Sequence, residues 1–365
     1  MEPLWALGFM SGTSLDGIDA AFILSDGQQI LDKGITCFLP YAPEFRQEIR
    51  ECFGKAERNL VICRVEEKLT RLHAELANRM INESPVKPQL IGFHGQTIFH
   101  APPKTLQIGD GELLSRLAGI PVVYDFRVND CLNGGQGAPL VPVYHQALAK
   151  TLAKPLAIVN IGGVGNITYM DGCETLIAFD TGPGNALIDD FVLQAYNLPF
   201  DEDGAIAVSG VADQQLVKVW LKDPFFTKFY PKSIDRDHFA RIKAALAHMT
   251  PADAVATLTL FTASTIVLAC AQLPKRPGQL ILCGGGAKNQ TLGKLLEESL
   301  NNMNIMTAES LGWQSDFVEA QAFAFLAIRS FYGVPLSFPL TTGVKVPLTG
   351  GRMTENYLNQ GGKVG

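Results

Sequence analysis

The chain has 365 residues, of which 47% are hydrophobic and 18% are charged, and its formal net charge is −6 at pH 7. This composition is typical of a folded globular protein rather than a disordered chain, and the length allows two domains with separate cores. The negative charge and the lack of any Lys/Arg-rich run in the sequence argue against nucleic acid as a partner.

The seven cysteines form no Cys-x-x-Cys pair, and their number is odd. This usage predicts reduced, mostly buried thiols in a cytoplasmic protein. The N-terminus lacks the basic segment and the cleavage site of a signal peptide. The segment from Ala252 to Leu273 is long and apolar, but the serine and threonine residues within it favour a buried core helix over a membrane span.

The chain begins with three predicted strands, Leu4 to Phe9, Ile18 to Leu24 and Ile30 to Phe38. A polar, glycine-bearing turn at 10–17 joins the first two strands, and Asp26-Gly27 joins the second to the third. The same order of strands and turns returns about 150 residues later. The corresponding strands are 156–160, 167–170 and 176–179. This repeat predicts two related domains that face each other.

The elements predicted between the two repeats are a helix at 59–84, a strand at 90–93, a helix at 112–118 and a strand at 122–124. The first helix is amphipathic with a period near 3.6 and ends before Pro85. The first of these strands runs into the polar sequence His94-Gly95-Gln96-Thr97, and the second ends at Asp125-Phe126-Arg127.

A cluster of glycine and proline at 133–139 predicts a hinge region. We place the domain boundary within it, which gives an N-terminal lobe of residues 1–135 and a C-terminal lobe of residues 136–345. The remaining residues, 346–365, read as a polar and loosely ordered tail. The elements predicted in the C-terminal lobe are helices at 185–196, 212–221, 252–273, 290–300 and 316–332 and a strand at 279–283.

Three glycine-bearing turns follow predicted strands, around Gly12, Gly162 and Gly284. Each turn alone is ordinary turn chemistry, but together they fit a nucleotide bound by two hairpin loops and by a third loop on its adenosine side. The sequence contains no P-loop motif. The predicted nucleotide contacts are Ser11, Gly12, Thr13, Ser14, Asp16, Gly17, Asp19, Gly162, Gly163, Gly165, Asn166, Gly284, Gly285, Gly286 and Asn289.

Asp180 ends a predicted strand, and Thr181-Gly182 then turns the chain into a helix that begins near Ala186. A carboxylate at a strand end, beside the backbone N–H groups of a helix start, suits phosphate and proton chemistry. The alternative is that Asp180 only caps the helix that follows.

Two histidines, His94 and His100, could in principle be ligands of a metal ion. Their spacing of six does not match a helical pair, and no cysteine or carboxylate lies at a recognised ligand spacing, so a metal site is not favoured. His94 and Gln96 are instead expected to hydrogen-bond a substrate.

Arg127 follows an aspartate at a strand end. It either pairs with Asp125 or Asp130, or it binds a carboxylate or phosphate group of a ligand.

Eight segments of the chain resemble the anhydro-N-acetylmuramic acid kinases, which belong to the sugar kinase/heat-shock chaperone/actin superfamily. The segments are GFMSGTSLDGIDAA (8–21), FHGQTIFHAP (93–102), DFR (125–127), NIGGVGNIT (160–168), FDTGPGNALID (179–189), DEDG (201–204), CGGGAKN (283–289) and VEAQAFAFLA (318–327). The resemblance extends from residue 4 to about residue 345, and the strings SGTSLDGID and FDTGPGN are the most specific.

The resemblance implies an α/β, two-lobed actin-like ATPase (ribonuclease H-like) fold, with duplicated mixed five-stranded sheets, flanking helices and a central cleft. It implies that ATP and Mg²⁺ are used to convert 1,6-anhydro-N-acetylmuramic acid to N-acetylmuramic acid 6-phosphate. Water opens the anhydro ring while the freed 6-oxygen takes the γ-phosphoryl group. The setting implied is a cytoplasmic homodimer that acts in peptidoglycan recycling.

The resemblance also implies roles for individual residues. Asp180 would accept a proton from the water that attacks the anomeric carbon, and Glu319 would help to position the water or the sugar. The substrate contacts implied are His94, Gln96, Arg127, Asp180 and Gly182.

Two departures from the resemblance affect the predicted site. Met10 stands where superfamily members usually have an aspartate, so Asp16 or Asp19 must supply any carboxylate that faces Mg²⁺. The segment 231–237 (PKSIDRD) is similar to a family stretch PKSTGR but lacks its Thr-Gly, which leaves the conformation of that loop open.

Two other functions share parts of this pattern. One is a nucleotide-switched interaction or assembly protein of the same superfamily, and the other is a hexose kinase that phosphorylates without ring opening. Fold alone does not exclude either of them.

Overall fold

The structure is a computed structural model that describes residues 1–173 and 175–354. By its internal contacts the chain divides into two compact units. The first unit consists of Met1–Lys150 and the chain from Asp316 onward, and the second consists of Thr151–Ser315. The predicted boundary at 135/136 differs from this division, because residues 136–150 and 316–345 belong to the first unit.

The strands are β1 (Leu4–Ser11), β2 (Gly17–Ser25), β3 (Ile30–Pro40), β4 (Leu90–Ala101), β5 (Lys104–Ile108), β6 (Val122–Tyr124), β7 (Leu156–Ile161), β8 (Val164–Met170), β9 (Leu176–Pro183), β10 (Gln279–Cys283), β11 (Asn304–Thr307) and β12 (Arg352–Met353). The helices are α1 (Pro43–Arg50), α2 (Leu60–Glu83), α3 (Gly111–Ala118), α4 (Val128–Leu132), α5 (Pro142–Leu148), α6 (Ala186–Tyr196), α7 (Gln214–Trp220), α8 (Pro251–Ala271), α9 (Gln290–Ser299) and α10 (Val318–Phe331). Short 3₁₀ segments include Arg236–His248 and Gly285–Lys288.

The sheet of the first unit is mixed and has the strand order β12-β6-β4-β1-β2-β3, with β5 paired to β4. Strands β1, β2 and β3 form an antiparallel meander. Strand β4 runs parallel to β1, and β6 runs parallel to β4. The apolar faces of this sheet and of α2 form one continuous core.

The sheet of the second unit has the order β11-β10-β7-β8-β9. Strands β7, β8 and β9 form an antiparallel meander, while β10 is parallel to both β7 and β11. Five strands therefore follow the same order and the same directions in both units. The repeat predicted from the first hairpin extends to the whole sheet, and the predicted α/β fold with two related mixed sheets is confirmed.

The first sheet has seven strands where five were predicted. The two extra strands are β5 and β12, which pair with β4 and β6. Strand β4 also continues to Ala101, beyond the predicted strand at 90–93, so that His94 and Gln96 lie on the strand. The polar sequence is held in extended conformation because β5 pairs with this part of β4.

Helix α10 packs directly on the first sheet, and two glycines allow the close approach. A Cβ atom at Gly8 would lie 1.9 Å from the backbone oxygen of Ala320, and one at Gly92 would lie 2.1 Å from that of Phe323. Because α10 covers strands β1 and β4 at these points, the end of the chain belongs to the first unit. This packing explains why residues 316–345, predicted to lie in the C-terminal lobe, group with the first unit.

Among the described residues, helix α8 is long and apolar enough to cross a membrane. Within the protein, however, 72% of its most apolar stretch is buried. Most of its side chains pack against strands and helices of the second unit. The prediction of a buried core helix agrees with this burial.

The described part of the predicted tail is ordered: β12 pairs with β6, and Thr354 is fully buried. Residues 355–365 of that tail lie outside the described residues. All seven cysteines are free, and four of them are buried, which agrees with the predicted reduced thiols.

We expect Gly8→Ala to destabilise the protein, because the added methyl group would have to displace the backbone of α10. Overpacking of this kind costs about 1–3 kcal/mol or more. Gly293, within α9, has no atom within 4 Å of an added Cβ, so Gly293→Ala is the matched control and should stabilise by about 0.5–1 kcal/mol. Urea unfolding of both variants measures the difference, and equal midpoints would contradict the packing of α10.

Candidate active site

The first glycine-bearing loop begins at Ser11, whose side chain is buried in a hydrogen-bond network. The Ser11 Oγ lies 3.1 Å from His73 Nε2 and accepts from the Tyr41 hydroxyl at 3.0 Å. His73 Nδ1 donates to the carbonyl oxygen of Leu69 at 2.8 Å, so Nε2 accepts the proton of Ser11. Burial lowers the pKa of His73 to about 4, which keeps the ring neutral. The Ser11 side chain therefore holds the start of the loop, and its contact with a nucleotide stays a prediction.

The rest of this loop is held by its own backbone. The Gly12 carbonyl oxygen accepts from the amide of Leu15 at 3.2 Å and from Gln96 Nε2 at 3.1 Å. Asp16 Oδ1 accepts from Ser14 Oγ at 2.8 Å and from the amide of Gly17 at 3.0 Å. Asp16 is thus engaged within the loop, while Thr13 and Ser14 are exposed.

Asp19 provides a carboxylate beside Met10, the position where an aspartate is usual in the superfamily. The two residues are directly paired across β1 and β2, so their side chains share one face of the sheet. Burial, followed by the charges of Asp16, Glu319 and Asp316, raises the pKa of Asp19 to about 7. A carboxylate that is so disfavoured by its acidic neighbours is a suitable partner for a cation. Of the two predicted candidates, Asp16 is hydrogen-bonded within its own loop, and Asp19 has the raised pKa.

Glu319 lies in the first turn of α10. The protein packed around its carboxylate raises the pKa of this group, the Arg127 guanidinium lowers it, and Asp16 raises it further, although the side chain remains accessible to solvent. Glu319, Arg127 and the acidic residues near Asp19 therefore form one electrostatic group within the first unit.

Arg127 is held by two contacts that leave part of its guanidinium free for a ligand. Its Nε donates to His94 Nε2 at 2.9 Å, and its Nη1 donates to the carbonyl oxygen of Gly137 at 2.7 Å. His94 Nδ1 lies 2.8 Å from the Gly95 carbonyl oxygen, so both nitrogens of this buried ring are engaged. His94 therefore orients Arg127, and its contact with substrate stays a prediction.

The segment 133–139, which was predicted to be a hinge region, lies inside the first unit, and Asp130 holds it by a hydrogen bond. Buried Asp130 accepts from the amide of Gly137 at 2.6 Å and from the hydroxyl of Thr342 at 2.5 Å. This places the Gly137 carbonyl oxygen against Arg127. The ion pairs that were considered for Arg127 are replaced by contacts to a ring nitrogen and a carbonyl oxygen.

Two other polar side chains on β4, those of Gln96 and His100, differ in whether their polar atoms have hydrogen-bond partners. Gln96 is fully buried, and its Oε1 has no hydrogen-bond partner among the described residues. His100 lies 2.9 Å from both the Thr105 hydroxyl and the Gln136 carbonyl oxygen. Of these two, Gln96 alone keeps an unused polar atom, and an unsatisfied buried oxygen is costly unless a ligand or water satisfies it.

In the second unit, the loop between β7 and β8 covers the start of α6. The carbonyl oxygens of Gly162 and Gly163 accept from the backbone amides of Gly184, Asn185 and Ala186. These three amides are therefore already hydrogen-bonded within the protein. Gly184 must be glycine, since a Cβ there would lie 2.1 Å from the Gly162 oxygen.

Thr181 lies on β9 next to Asp180 and was not among the predicted site residues. Its hydroxyl is buried, has no hydrogen-bond partner among the described residues, and lies 2.5 Å from where a Cβ at Gly165 would be. Gly182, predicted to contact substrate, packs against Thr265 of α8. A buried hydroxyl donor without a partner suits an anionic oxygen of a ligand.

Asp180 lies within β9, three residues before its last residue, Pro183, and directly across from Asn166 on β8. Its Oδ2 accepts from the backbone amide of Ile234 at 2.9 Å, and its own amide donates to the carbonyl oxygen of Lys232 at 2.9 Å. Burial raises the pKa of Asp180 to about 6, and the Ile234 amide opposes this rise. The carboxylate does not accept from the amides of the α6 start, so the helix-cap alternative is not what the contacts show.

The predicted adenosine loop, Gly284–Asn289, follows β10 and forms a 3₁₀ turn. Asn289 is the N-cap of α9, with Oδ1 accepting from the amide of Leu292 at 2.9 Å, and Thr291 Oγ1 donates to the carbonyl oxygen of Gly204 at 2.8 Å. The DEDG sequence at 201–204 is therefore packed against the start of α9. Gly285 is exposed, and an added Cβ would meet only Asn185 at 3.7 Å.

A sequence model of the anhydro-N-acetylmuramic acid kinase family matches residues 5–356. The chain belongs to this family. An anhydro-N-acetylmuramic acid kinase from Bradyrhizobium diazoefficiens is 48% identical over 362 residues, which cover 95% of this chain and 98% of that protein. Those from Rhodopseudomonas palustris strain BisB18 and Rhodospirillum rubrum are 47% and 45% identical and cover 95% of this chain, with 99% and 93% of those proteins covered.

Membership of the anhydro-N-acetylmuramic acid kinase family confirms the resemblance inferred from the sequence motifs. The protein is a kinase, that is, a phosphotransferase. The reading as a nucleotide-switched interaction protein is not favoured. The roles of the individual residues rest on the geometry described above and are developed below.

Asp19→Asn should stabilise the protein, and the gain should grow with pH. Because the pKa of Asp19 is raised from 3.8 to about 7, the folded state loses stability as this group ionises between about pH 4 and pH 7. An uncharged amide removes that cost. Melting temperatures at pH 5 and pH 8 measure the effect, with Asp32→Asn on β3 as an exposed control. A gain that is equal at both pH values, or a loss at pH 8, would show that the pKa of Asp19 is not raised in the folded protein.

Proposed function

We propose that this protein transfers the γ-phosphoryl group of ATP to 1,6-anhydro-N-acetylmuramic acid while water opens the anhydro bridge. The product is N-acetylmuramic acid 6-phosphate. The observation that carries the proposal is Asp180, a carboxylate on β9 whose burial raises its pKa to about 6. A general base works best when its pKa lies near the working pH, and a value of about 6 leaves Asp180 mostly ionised at pH 7.

In the proposed reaction, Asp180 takes one proton from the attacking water. The water oxygen forms a bond to the anomeric carbon, and the bond from that carbon to the 6-oxygen breaks. The 6-oxygen then takes the γ-phosphoryl group, and ADP leaves. The amide of Ile234 holds Oδ2 of Asp180 at 2.9 Å, which leaves Oδ1 as the atom to accept the proton.

Arg127 is proposed to bind the lactyl carboxylate of the sugar. Its Nε and Nη1 are engaged by His94 and by the Gly137 carbonyl oxygen, and the guanidinium has further N–H donors for a carboxylate. Burial lowers the pKa of His94 well below its usual range, with Arg127 adding to the effect, so the neutral ring can accept from Arg127. Glu319 is proposed to orient the water or the sugar from the start of α10.

ATP is proposed to bind through the three glycine-bearing loops, with Gly285 and its neighbours on the adenosine side. The partnerless Thr181 hydroxyl fits a phosphate oxygen, and the acidic neighbours of Asp19 fit a nearby divalent cation. When bound, Mg²⁺ would neutralise charge on the phosphates. Among the described residues, no three histidine, cysteine or carboxylate side chains form a ready cation cluster, so Asp19 would face a cation held largely by phosphates and water.

A cytoplasmic location and a homodimer complete the proposal, together with a place in peptidoglycan recycling. The location is supported by the free thiols of all seven cysteines, since disulfides are rare in the cytosol. Sedimentation equilibrium at several protein concentrations tests the homodimer, and a single monomer mass throughout would exclude it.

Gly285→Val should abolish stabilisation of the protein by ATP and Mg²⁺ without harming the fold. The position is exposed and has room for a side chain, so the valine would obstruct the ligand rather than the core. Bound ligand raises the melting temperature by mass action, and that rise should disappear in the variant. Gly293→Ala, in the same unit, is the control that keeps the full response. A normal response of Gly285→Val to ATP would place the adenosine side elsewhere.

Asp180→Asn should keep the fold and bind both substrates but lose most turnover. General-base assistance is worth about 10²–10⁴-fold, and its loss should lower kcat much more than it raises KM. Ring opening and phosphorylation should fall together, because one water attack releases the oxygen that is phosphorylated. The two rates are measured separately, by the appearance of reducing sugar and of ADP. A near-parental rate in this variant would exclude Asp180 as the base and direct attention to Glu319.

A further inference from the structure

Lys232 is a buried lysine at the centre of the segment that contacts Asp180. Its side chain is 8% exposed, which is unusual because lysine is rarely buried without a partner. The ammonium lies 4.8 Å from the ring centre of Phe225 and 5.3 Å from that of Phe179. It donates to Gln272 Oε1 at 2.9 Å and to the Phe225 carbonyl oxygen at 3.4 Å. Such a charge between two ring faces is held by cation–π attraction as well as by hydrogen bonds.

The backbone of the same segment holds Asp180 from two sides. The carbonyl oxygen of Lys232 accepts from the Asp180 amide, and the amide of Ile234 donates to the Asp180 carboxylate, both at 2.9 Å. Tyr230 stacks on Phe179, the residue before Asp180, with ring centres 5.4 Å apart and planes at 14°. The side chain of Lys232 therefore anchors a short piece of chain whose backbone sets the position of the carboxylate.

We propose that Lys232 is a positioning residue for the reaction: its anchored ammonium holds residues 232–234 against Asp180 and so fixes the orientation of the catalytic carboxylate. The inference rests on the proposed role of Asp180 as the base. It also explains how the chain accommodates Ile234-Asp235 in place of Thr-Gly, because the contact to Asp180 uses a backbone amide and not a side chain.

The expected consequence is a change in the ionisation of Asp180. Burial and the Ile234 amide act on the pKa of Asp180 in opposite directions, and burial is the larger influence. If the segment loosens, the amide no longer favours the carboxylate, and the pKa of Asp180 rises above 6. Lys232 itself has a pKa lowered to about 8, mainly by burial and then by Lys228, so its anchoring charge is present at pH 7.

The test compares Lys232→Met with Lys232→Arg and with Lys222→Met, a matched removal of an exposed lysine in the same unit. In Lys232→Met we expect kcat to fall about tenfold and the acid limb of the kcat/KM profile to move to higher pH, with small changes in KM. Lys232→Arg should restore much of both, and Lys222→Met should match the parent. A parental acid limb and a parental kcat in Lys232→Met would overturn the proposal.

A second measurement does not depend on catalysis. Hydrogen exchange of the Ile234 amide, followed in the peptide that covers 230–235, should be faster in Lys232→Met than in the parent. Unchanged exchange would overturn the proposal, and so would a fall in melting temperature alone, since a merely structural lysine would produce that. If Lys232→Met fails to fold, Gln272→Met removes the acceptor of the ammonium and should show the same two shifts at smaller size; their lack there would overturn the proposal as well.

These results separate the two claims. Should Asp180→Asn retain near-parental turnover, the proposed base is wrong, while faster exchange in Lys232→Met would still support the anchoring of the segment. Should Asp180→Asn lose turnover while Lys232→Met keeps the parental profile and exchange, the proposed function stands and the inference about Lys232 fails.

Discussion

The proposed reaction depends on keeping one carboxylate, that of Asp180, ionised in surroundings that disfavour its charge. Asp180 sits among protein atoms that raise its pKa to about 6, and a single backbone amide, that of Ile234, opposes the rise. Without burial the carboxylate would be a weak base, and without the amide it would be protonated for more of the time at neutral pH. The segment 230–234 supplies that amide at 2.9 Å, and Tyr230 of the same segment stacks on Phe179.

In the first unit, several charged groups rather than one lie in surroundings that disfavour their charge. Asp19 stands beside Asp16, Asp316 and Glu319, and this concentration of negative charge is unfavourable until a cation or Arg127 offsets it. Arg127 is in turn oriented by neutral groups, His94 and the Gly137 carbonyl oxygen, so that its charge is not consumed by a carboxylate of its own chain. Stability is given up at functional positions of this kind in return for binding and chemistry.

Much of the fold could be predicted from the sequence, because its signals are local. The alternating and apolar runs located both meanders and the central strands, and the repeated strand–turn order indicated the duplication that the two sheets share. The placement of α10 could not be predicted, since it depends on glycines at Gly8 and Gly92 that lie more than 200 positions away along the chain. The polar stretch His94–Thr97 was missed as a strand because its pairing with β5 is a tertiary contact.

For the site, residue types were predictable and their partners were not. Asp180, Asp19 and Arg127 were identified from strand ends and motifs. The sequence could not show that Ser11 is hydrogen-bonded to His73, that Asn289 caps α9, or that the amides of residues 184–186 are already bonded. Each of these contacts joins distant segments or uses the backbone, and a backbone amide such as that of Ile234 leaves no trace in residue identity.

The central claim, that one water attack couples ring opening to phosphorylation, is tested most directly by running the reaction in ¹⁸O-labelled water with ATP and 1,6-anhydro-N-acetylmuramic acid. The product is quenched promptly and examined by mass spectrometry with fragmentation. The account predicts a mass gain of one water and one phosphoryl group, with the label on the anomeric carbon and none in the phosphate. A product that gains only a phosphoryl group, or a label found in the phosphate, would contradict it.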